Sequence, residues 1–368
     1  MKTLLEEALS RDEKPVSTAP APLEDMRADS ELESLLTQMK TKVRIFGCGG
    51  SGCNTIARIM EEGIAGAELF AANTDAQHLL SIRAPKKILL GRRVTRGLGA
   101  GALPQVGEEA ARENEDEIKK YVSGSDMVFV TCGLGGGTGT GGSHIISRLA
   151  KDSGALTVAF VTLPFKGEGL LRMENAEWGL EKLRQNADTV IAIPNDRLLD
   201  LVPRLSLDAA FRFADEVLMR AIKGLAEVIT KPGLVNLDFN DIKTIMQGGG
   251  VAMIGLGESD AVGEERAAEA LSEAIESPLL DVDVSDARGV LVNVTGGNNM
   301  TVTEAERVVE EVQGRVSPNA RIIWGASVDP TIENTLKVML IVTGVKSKQI
   351  LGKTASPFGT KTDIDVIS

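Results

Sequence analysis

The chain is predicted to be an α/β protein: a Rossmann-like, mainly parallel sheet joined by a long central helix to a second, α+β unit. Three observations carry that prediction. From residue 42 to residue 194, short runs of β-branched and aromatic residues alternate with helical segments, the pattern of βαβ repeats with helices on both faces of a sheet. Two of the strand-to-helix junctions, GCGGSGCN and GLGGGTGTGG, are rich in glycine. The segment SLDAAFRFADEVLMRAIKGLAEVIT, 206–230, repeats apolar residues at steps of three and four along its whole length, as an amphipathic helix must.

Residues 1–40 are acidic and helix-prone at both ends, broken by the linker-like KPVSTAPAPLED. They read as a flexible arm followed by a short helix, DSELESLLTQMK, capped by Asp29 or Ser30. The first domain is expected over 41–205. KVRIF, AELFAAN, KKILL, DMVFVTC, ALTVAFVTL and TVIAIP are its strands; TIARIMEEG, the Glu-rich QVGEEAARENEDEIKKYV, SHIISRLAKD and NAEWGLEKLRQN are its helices. The central helix spans 206–230 and is stopped by Pro232 and Gly233. In the second domain, 231–346, VAMIGLGES, GVLVNVTGG, ARIIWGASVD and LKVMLIVTG are strand-like, with helices at EERAAEALSEAIES and VTEAERVVEEVQGR. A loosely polar tail, 347–368, ends in the apolar pair Val366 and Ile367.

A chain of 368 residues is long enough for two cores, and 43% hydrophobic with 25% charged residues is the composition of a soluble globular protein. Neither a membrane span nor a signal peptide is legible. A net charge of −12 argues against a nucleic-acid partner, because sequence-independent binding uses basic surface. Cys48, Cys53 and Cys132 are too few for a disulfide framework, and Cys48 and Cys53 lack the spacing of a zinc site. Free thiols in a reducing cytosol are expected. His78 and His144, the two histidines, are far apart in the chain and form no Ser-His-Asp pattern.

A glycine-rich turn between a parallel strand and a helix suits an anion. Unpaired N–H groups converge there, the helix dipole favours negative charge, and no Cβ blocks close approach. Two such turns, at Gly47–Asn54 and Gly133–Gly142, would meet at the carboxyl edge of the sheet, where open α/β folds bind ligands. Two phosphate-holding turns suggest a di- or triphosphate. GCGGSG also fits G-x-G-x-x-G through Gly47, Gly49 and Gly52, with Asp75 at roughly the spacing of a ribose-binding acid, which keeps a dinucleotide-linked oxidoreductase open. A Walker A site is excluded, because Ser347 stands where Gly352-Lys353-Thr354 would need its upstream glycine.

GLGGGTGTGG resembles the signature of the tubulin/FtsZ family of filament-forming GTPases. GCGGSGCN, AANTDAQ, GLGAGALPQVGEEAA, VTLPFKGEGLLR, IPNDRLLD, ITKPGLVNLDFNDIKTIM and GVAMIGLGES follow in the order of that family's FtsZ branch, archaeal type, from about residue 42 to 346. The resemblance implies a tubulin/FtsZ fold, bound GTP or GDP with Mg²⁺, and a place in cell division. It implies a phosphate cradle at Gly49, Gly50, Ala100, Gly101, Gly135, Gly136, Gly137, Thr138 and Gly139. Glu168 and Arg172 match ribose and phosphate contacts, Asn54 and Asn195 match asparagines near guanine and sugar, and Asp75 joins the cofactor-binding set. Phe211 would stack on guanine and Asp215 take its donor edge; four apart on the central helix, they share one face. The catalytic acids would be Asp238 and Asp241, with Asn236 beside them. Without the resemblance, Asp238 reads as a helix N-cap and Asp241 as a dipole-favoured first-turn residue.

From Asp215 to Thr230 is 15 helical steps, roughly 22 Å at the α-helical rise. Acids beyond that end cannot reach a γ-phosphate whose base sits at Asp215, but they could reach one bound to the next molecule. Such head-to-tail contact does not close, so it propagates as a filament. Two further readings stay beside the polymerising GTPase: the oxidoreductase, and a nucleotide-binding scaffold that assembles without turnover. Leu103 and Cys53 depart from the family's usual residues, and PFKGEG lacks an aromatic of the bacterial version. The C-terminal TDIDVIS resembles the tail by which prokaryotic members engage membrane-anchoring partners, SepF in the archaeal type. A cytoplasmic protein at the mid-cell division site, without direct membrane insertion, is the expectation.

Overall fold

Alternate residues of the strands point to opposite faces, and here both faces are covered. In β1 (Val43–Cys48), Ile45 belongs to one buried cluster and Phe46 to the other. The same near-continuous burial runs through β4 (Met127–Gly133), β5 (Leu156–Leu163) and β6 (Thr189–Pro194). Strands buried on both sides belong inside a three-layer α/β molecule. The computed structural model describes residues 41–345 except 202–205, 232, 262, 264, 281–283 and 285–286. The expected N-terminal arm and helix and the C-terminal tail lie outside the described residues.

One ten-stranded sheet runs through the described residues. Its first six strands, β3 (Lys86–Leu89), β2 (Ala67–Asn73), β1, β4, β5 and β6, are all parallel in that spatial order. The sheet then continues through β7 (Gly250–Ser259), which pairs parallel to β6 at Thr189↔Gly250, Val190↔Val251 and Ile191↔Ala252. Next come β10 (Leu336–Thr343), antiparallel to both neighbours, then β8 (Gly289–Gly296) and the half-exposed edge strand β9 (Arg321–Val328). All ten strands read from the sequence are present, and the fold is the predicted α/β one with a mostly parallel sheet.

The helices differ from the prediction in instructive ways. Helix α1 (Gly49–Glu62) begins six residues before TIARIMEEG, so most of the first glycine turn is helical. Gly49 makes this possible with φ +76°, a left-handed backbone that glycine enters freely, turning the chain straight from strand into helix. A short helix, α2 (Ala76–Ser81), follows β2 and was not read from the sequence. The single Glu-rich helix is two, α3 (Pro104–Glu113) and α4 (Glu115–Val122), broken at Asn114, whose ψ of +16° is off the helix. Its side chain holds the break: Oδ1 accepts from the Gly91 N–H at 2.8 Å and Nδ2 donates to Glu117 at 2.8 Å. After β4, α5 (Thr138–Asp152) again starts inside the glycine run. Then come α6 (Leu170–Asn186), α7 (Asn195–Leu201) and the long α8 (Leu207–Thr230), whose N-cap Ser206 accepts from the Ala209 N–H. The second half adds α9 (Phe239–Met246), α10 (Glu265–Glu276) and α11 (Val302–Arg315).

Helix α8 sets the long dimension of the site. Its Leu218, Ile222 and Leu225 share a core cluster with Ile45 and Phe129 of the first half and Leu291 and Ile341 of the second. It runs alongside α1. Near one end, Ser51 of α1 lies 3.5 Å from Asp215; at the other, Thr230 donates to the carbonyl of Ala65, just past the end of α1. The chain therefore leaves α8 at Thr230 beside the C-terminal end of α1, away from the end of α1 that carries Gly49.

Candidate functional site

A cleft of about 490 Å³ opens at the carboxyl ends of β1, β2, β4, β5 and β6, within the range of small-molecule sites. Thirteen of the sixteen candidate binding residues line it. Gly50 comes from α1, Asp75 from the turn after β2, Ala100 and Gly101 from the following loop, and Gly136, Gly137, Thr138 and Gly139 from the start of α5. Glu168, Arg172 and Asn195 stand across from them, and Phe211 and Asp215 enter from α8. The other three adjoin lining residues: Gly49 packs against Gly139, Asn54 bonds to His78, and Gly135 precedes Gly136.

The glycines divide by what a side chain would meet. A Cβ on Gly50 or Gly136 would meet nothing within 4 Å, so these two open onto the cleft. The rest of GLGGGTGTGG is pressed against other chain. A Cβ on Gly141 would fall 1.9 Å from the Pro104 carbonyl oxygen, one on Gly137 2.4 Å from that of Gly101, and one on Gly139 2.8 Å from that of Gly133. Gly49 is equally tight, 2.7 Å from the Gly139 nitrogen, and Gly135 holds φ +104°. Bare backbone here mainly lets two helix starts and a loop approach one another; the cleft is the result. Neither α1 nor α5 has a side-chain cap or an acidic residue in its first turn, so their leading N–H groups remain available to an anion.

The opposite wall is polar and paired. Glu168 accepts from Arg172 at 2.5 Å and from the Phe165 N–H at 2.9 Å. Asn195, 5% exposed, leaves its Oδ1 without a hydrogen-bond partner, a buried acceptor at the cleft that suits a ligand hydroxyl. Phe211 is 39% exposed and meets Phe165 edge-on, ring centroids 5.2 Å apart. Burial pushes the Asp215 carboxyl up to about 6; Arg58, 3.8 Å away, and Ser51 hold it from rising further. Asp75 caps α2 by accepting from the His78 N–H at 3.0 Å. Ser51, Arg58, Asn73, Thr74 and His78 escaped the sequence reading: Ser51, Asn73 and His78 line the cleft themselves, while Arg58 reaches it through Asp215 and Thr74 through Thr138.

Asn236, Asp238 and Asp241 are not part of this cleft. All three are exposed. Asp238 is the N-cap of α9 and accepts from the Asn240 N–H at 2.9 Å, and Asp241 stands in that helix's first turn. Asn236 accepts from the Gly233 N–H at 2.6 Å, and a bridge between Val235 and Ala326 pins the segment to β9. Burial raises the thiols of Cys48, Cys53 and Cys132, the latter two to about 12, so all three are unreactive packing groups.

The family model for the GTPase domain of the Tubulin/FtsZ family matches residues 42–203, and the model for the FtsZ family C-terminal domain matches 250–346. The chain belongs to the FtsZ family. It is 59% identical, over 100% of its length and 99% of the relative's, to the cell division protein FtsZ 1 of Archaeoglobus fulgidus. It is 57% identical to the cell division protein FtsZ of Haloferax mediterranei, over 92% of this chain and 90% of that one. Among solved structures, an empty FtsZ dimer from M. jannaschii matches with a TM-score of 0.83 and 55% identity, covering 86% of this chain and 92% of that chain. The GTPase-domain match takes in the FtsZ cleft up to Asn195; Phe211 and Asp215 lie beyond it, on α8. Among the described residues no helix is long and apolar enough to cross a membrane.

Proposed function

We propose that this chain is a cell-division GTPase that binds GTP in the cleft, assembles head to tail, and completes each active site with acids from the next copy. The N–H groups at the starts of α1 and α5, with Ala100 and Gly101, take the phosphates. Glu168, Arg172 and Asn195 hold the ribose and its neighbouring phosphate, Asp75 and Asn54 support that wall, Phe211 packs on guanine, and ionised Asp215 accepts from its N–H edge. The domain over 41–205 thus carries the nucleotide, 206–230 spans the molecule, and 231–346 carries the acids.

One observation bears most of the weight. Asp238 and Asp241 are solvent-exposed beyond the far end of α8, while Phe211 and Asp215, near its other end, line the cleft. Fifteen helical steps, roughly 22 Å, separate Asp215 from Thr230, too far for those acids to act on the same molecule's γ-phosphate. Supplied by a neighbour, Asp238 and Asp241 orient and polarise the attacking water, with Asn236 as a hydrogen-bonding companion. Mg²⁺ arriving with the phosphates offsets their charge, and the backbone N–H groups stabilise what develops on transfer. Exposed apolar side chains fit an interface: Leu98, in the cleft lining, is 85% exposed, Leu170, between Glu168 and Arg172 in the chain, is 74% exposed, and Leu234 is exposed two residues before Asn236. Assembly of this kind at mid-cell in the cytoplasm, with the tail 347–368 held by a SepF-like membrane anchor, gives a division ring.

Mixing tests the shared site. A Gly136→Val variant, crowded in the cleft, and an Asp238→Ala/Asp241→Ala variant should each be inactive alone. Combined in equal amounts they should recover roughly a quarter of wild-type phosphate release, because random head-to-tail pairing joins an intact cleft to intact acids in that fraction of contacts. No recovery at any ratio, or wild-type turnover that stays proportional to protein down to high dilution, would overturn the reading.

A further inference from the structure

His78, in α2, has no part in the roles assigned so far, yet it lines the cleft and joins two asparagines. Its Nδ1 lies 3.2 Å from Asn73 Nδ2, and its Nε2 lies 3.2 Å from Asn54 Oδ1. The direction of each bond is forced by the next. Asn73 Oδ1 accepts from the Thr74 N–H at 2.9 Å and from the Asp75 N–H at 3.4 Å. Its amide nitrogen therefore faces His78, and the ring must accept at Nδ1. A neutral imidazole then carries its one proton on Nε2 and donates to Asn54 Oδ1. With its oxygen held by the ring, Asn54 presents its amide N–H groups on the other side. Beyond Asn73, the Thr74 hydroxyl is 2.6 Å from that of Thr138, the first helical residue of α5. A line of hydrogen bonds thus joins α1 to α5 through His78 and the turn after β2.

We propose that His78 is a positioning residue for the nucleotide: as the Nε2–H tautomer it fixes Asn54 with its donors presented, and fixes the Asn73–Asp75 turn that holds Thr138. The inference rests on the cleft being the guanine-nucleotide site. Helix α2 does not depend on the imidazole for its place, since Leu79 anchors it in a small apolar cluster with Cys53, Ala71 and Ile82, and Asp75 caps it. Loss of the ring therefore loosens the binding wall and leaves the fold standing. It acts before the chemical step, so it moves KM and nucleotide affinity and spares kcat.

The test compares GDP affinity and, at one fixed protein concentration, KM and kcat for GTP in wild type, His78→Leu and His78→Gln. Leu removes both bonds and should raise Kd and KM roughly tenfold with kcat nearly unchanged. Gln offers an acceptor and a donor in the same order and should restore both to within about threefold. Because the chain holds two histidines, a His144→Gln variant assigns the ring signals in a long-range ¹⁵N spectrum, which should show the Nε2–H tautomer and a shift on Asn54→Ala. An unchanged KM in His78→Leu, no rescue by Gln, or a proton on Nδ1 overturns the proposal. Wild-type protein that binds no guanine nucleotide overturns the reading of the cleft, and this one with it.

Discussion

The two ends of α8 are built on different principles. At the cleft end, the backbone itself lines the opening: helix starts without side-chain caps, glycines packed within 3 Å of other backbone, and a buried asparagine oxygen without a partner. At the far end stand the three exposed side chains proposed as catalytic, with local hydrogen bonds, Asn236 to Gly233 and Asp238 to Asn240. A preorganised backbone costs little to reorganise on binding, whereas exposed carboxylates have their strength only where water is excluded. The contrast teaches that the cleft end is preorganised within one chain, whereas the proposed acids would gain their strength only against a second surface.

Removing the acids is the sharpest way to break that contrast. Asp238→Ala and Asp241→Ala should each lower GTP turnover about a hundredfold or more, the scale of a lost group that orients or activates water. GTP affinity should stay within a few-fold, read by equilibrium binding below the assembly threshold. Loss of affinity together with turnover would move the acids into their own molecule's pocket.

The glycines come next, and they separate folding from binding. Gly141→Ala puts a methyl 1.9 Å from the Pro104 carbonyl oxygen, where backbone must move. It should destabilise the protein by about 3 kcal/mol, the upper range for overpacking, and lower its melting temperature accordingly. Gly136→Ala meets nothing within 4 Å and should melt as wild type does. Its methyl instead enters the cleft and should weaken GTP binding about tenfold, a modest steric cost at a phosphate contact.

How far the sequence alone reached follows the same division. Strand identity was legible because burial on both faces writes continuous apolar runs such as DMVFVTC and TVIAIP. The helix starts were not, because glycine reads locally as a turn, and only the packing of Gly52 against Thr131 and of Gly141 against Pro104 makes it helical. The break at Asn114 was hidden in a run of good helix formers; the Gly91 N–H that holds it is 23 residues away. In the site, the family resemblance pointed to Phe211 and Asp215, whose i, i+4 spacing puts them on one helix face, and both line the cleft. His78, Thr74 and Arg58 were not legible, since their partners Asn54, Thr138 and Asp215 are far away in the chain.

Asp215 offers a probe of the cleft end by pH. Its carboxyl is raised to about 6 by burial, with Arg58 opposing. A guanine edge donates hydrogen bonds, so it pairs with the ionised form and binding releases the proton. GDP affinity should therefore fall as pH drops from 7 to 5, by about tenfold for one unit below the raised value. Asp215→Asn should bind weakly at every pH with that dependence gone. A wild-type affinity flat across this window would remove Asp215 from guanine recognition.

The smallest effect compares Asp215 with a buried group that has no place in the cleft. His144, in the middle of α5, is pushed down to about 4 by burial, partly opposed by the Glu108 carboxylate 3.6 Å away. A histidine depressed in the fold takes up its proton more readily when unfolded, so its contribution is lost as pH falls from about 6.5 toward 4. The raised Asp215 does the reverse: its stabilising effect is complete below about 3.9 and is lost as pH rises through 6. In unliganded protein the two slopes oppose one another between about 4 and 6, so each is best seen as a difference from wild type. The stability difference between His144→Gln and wild type should shift in favour of the variant by about 1–2 kcal/mol as pH drops from 6.5 to 5. That between Asp215→Asn and wild type should shift by a similar amount in favour of the variant as pH rises from 5 to 7. Saturating GDP should abolish the second trend and leave the first, since of the two only Asp215 lines the cleft. A trend at His144 that also vanished with GDP would mean that α5 is coupled to the ligand along its whole length, and the separation of cleft from core would have to be redrawn.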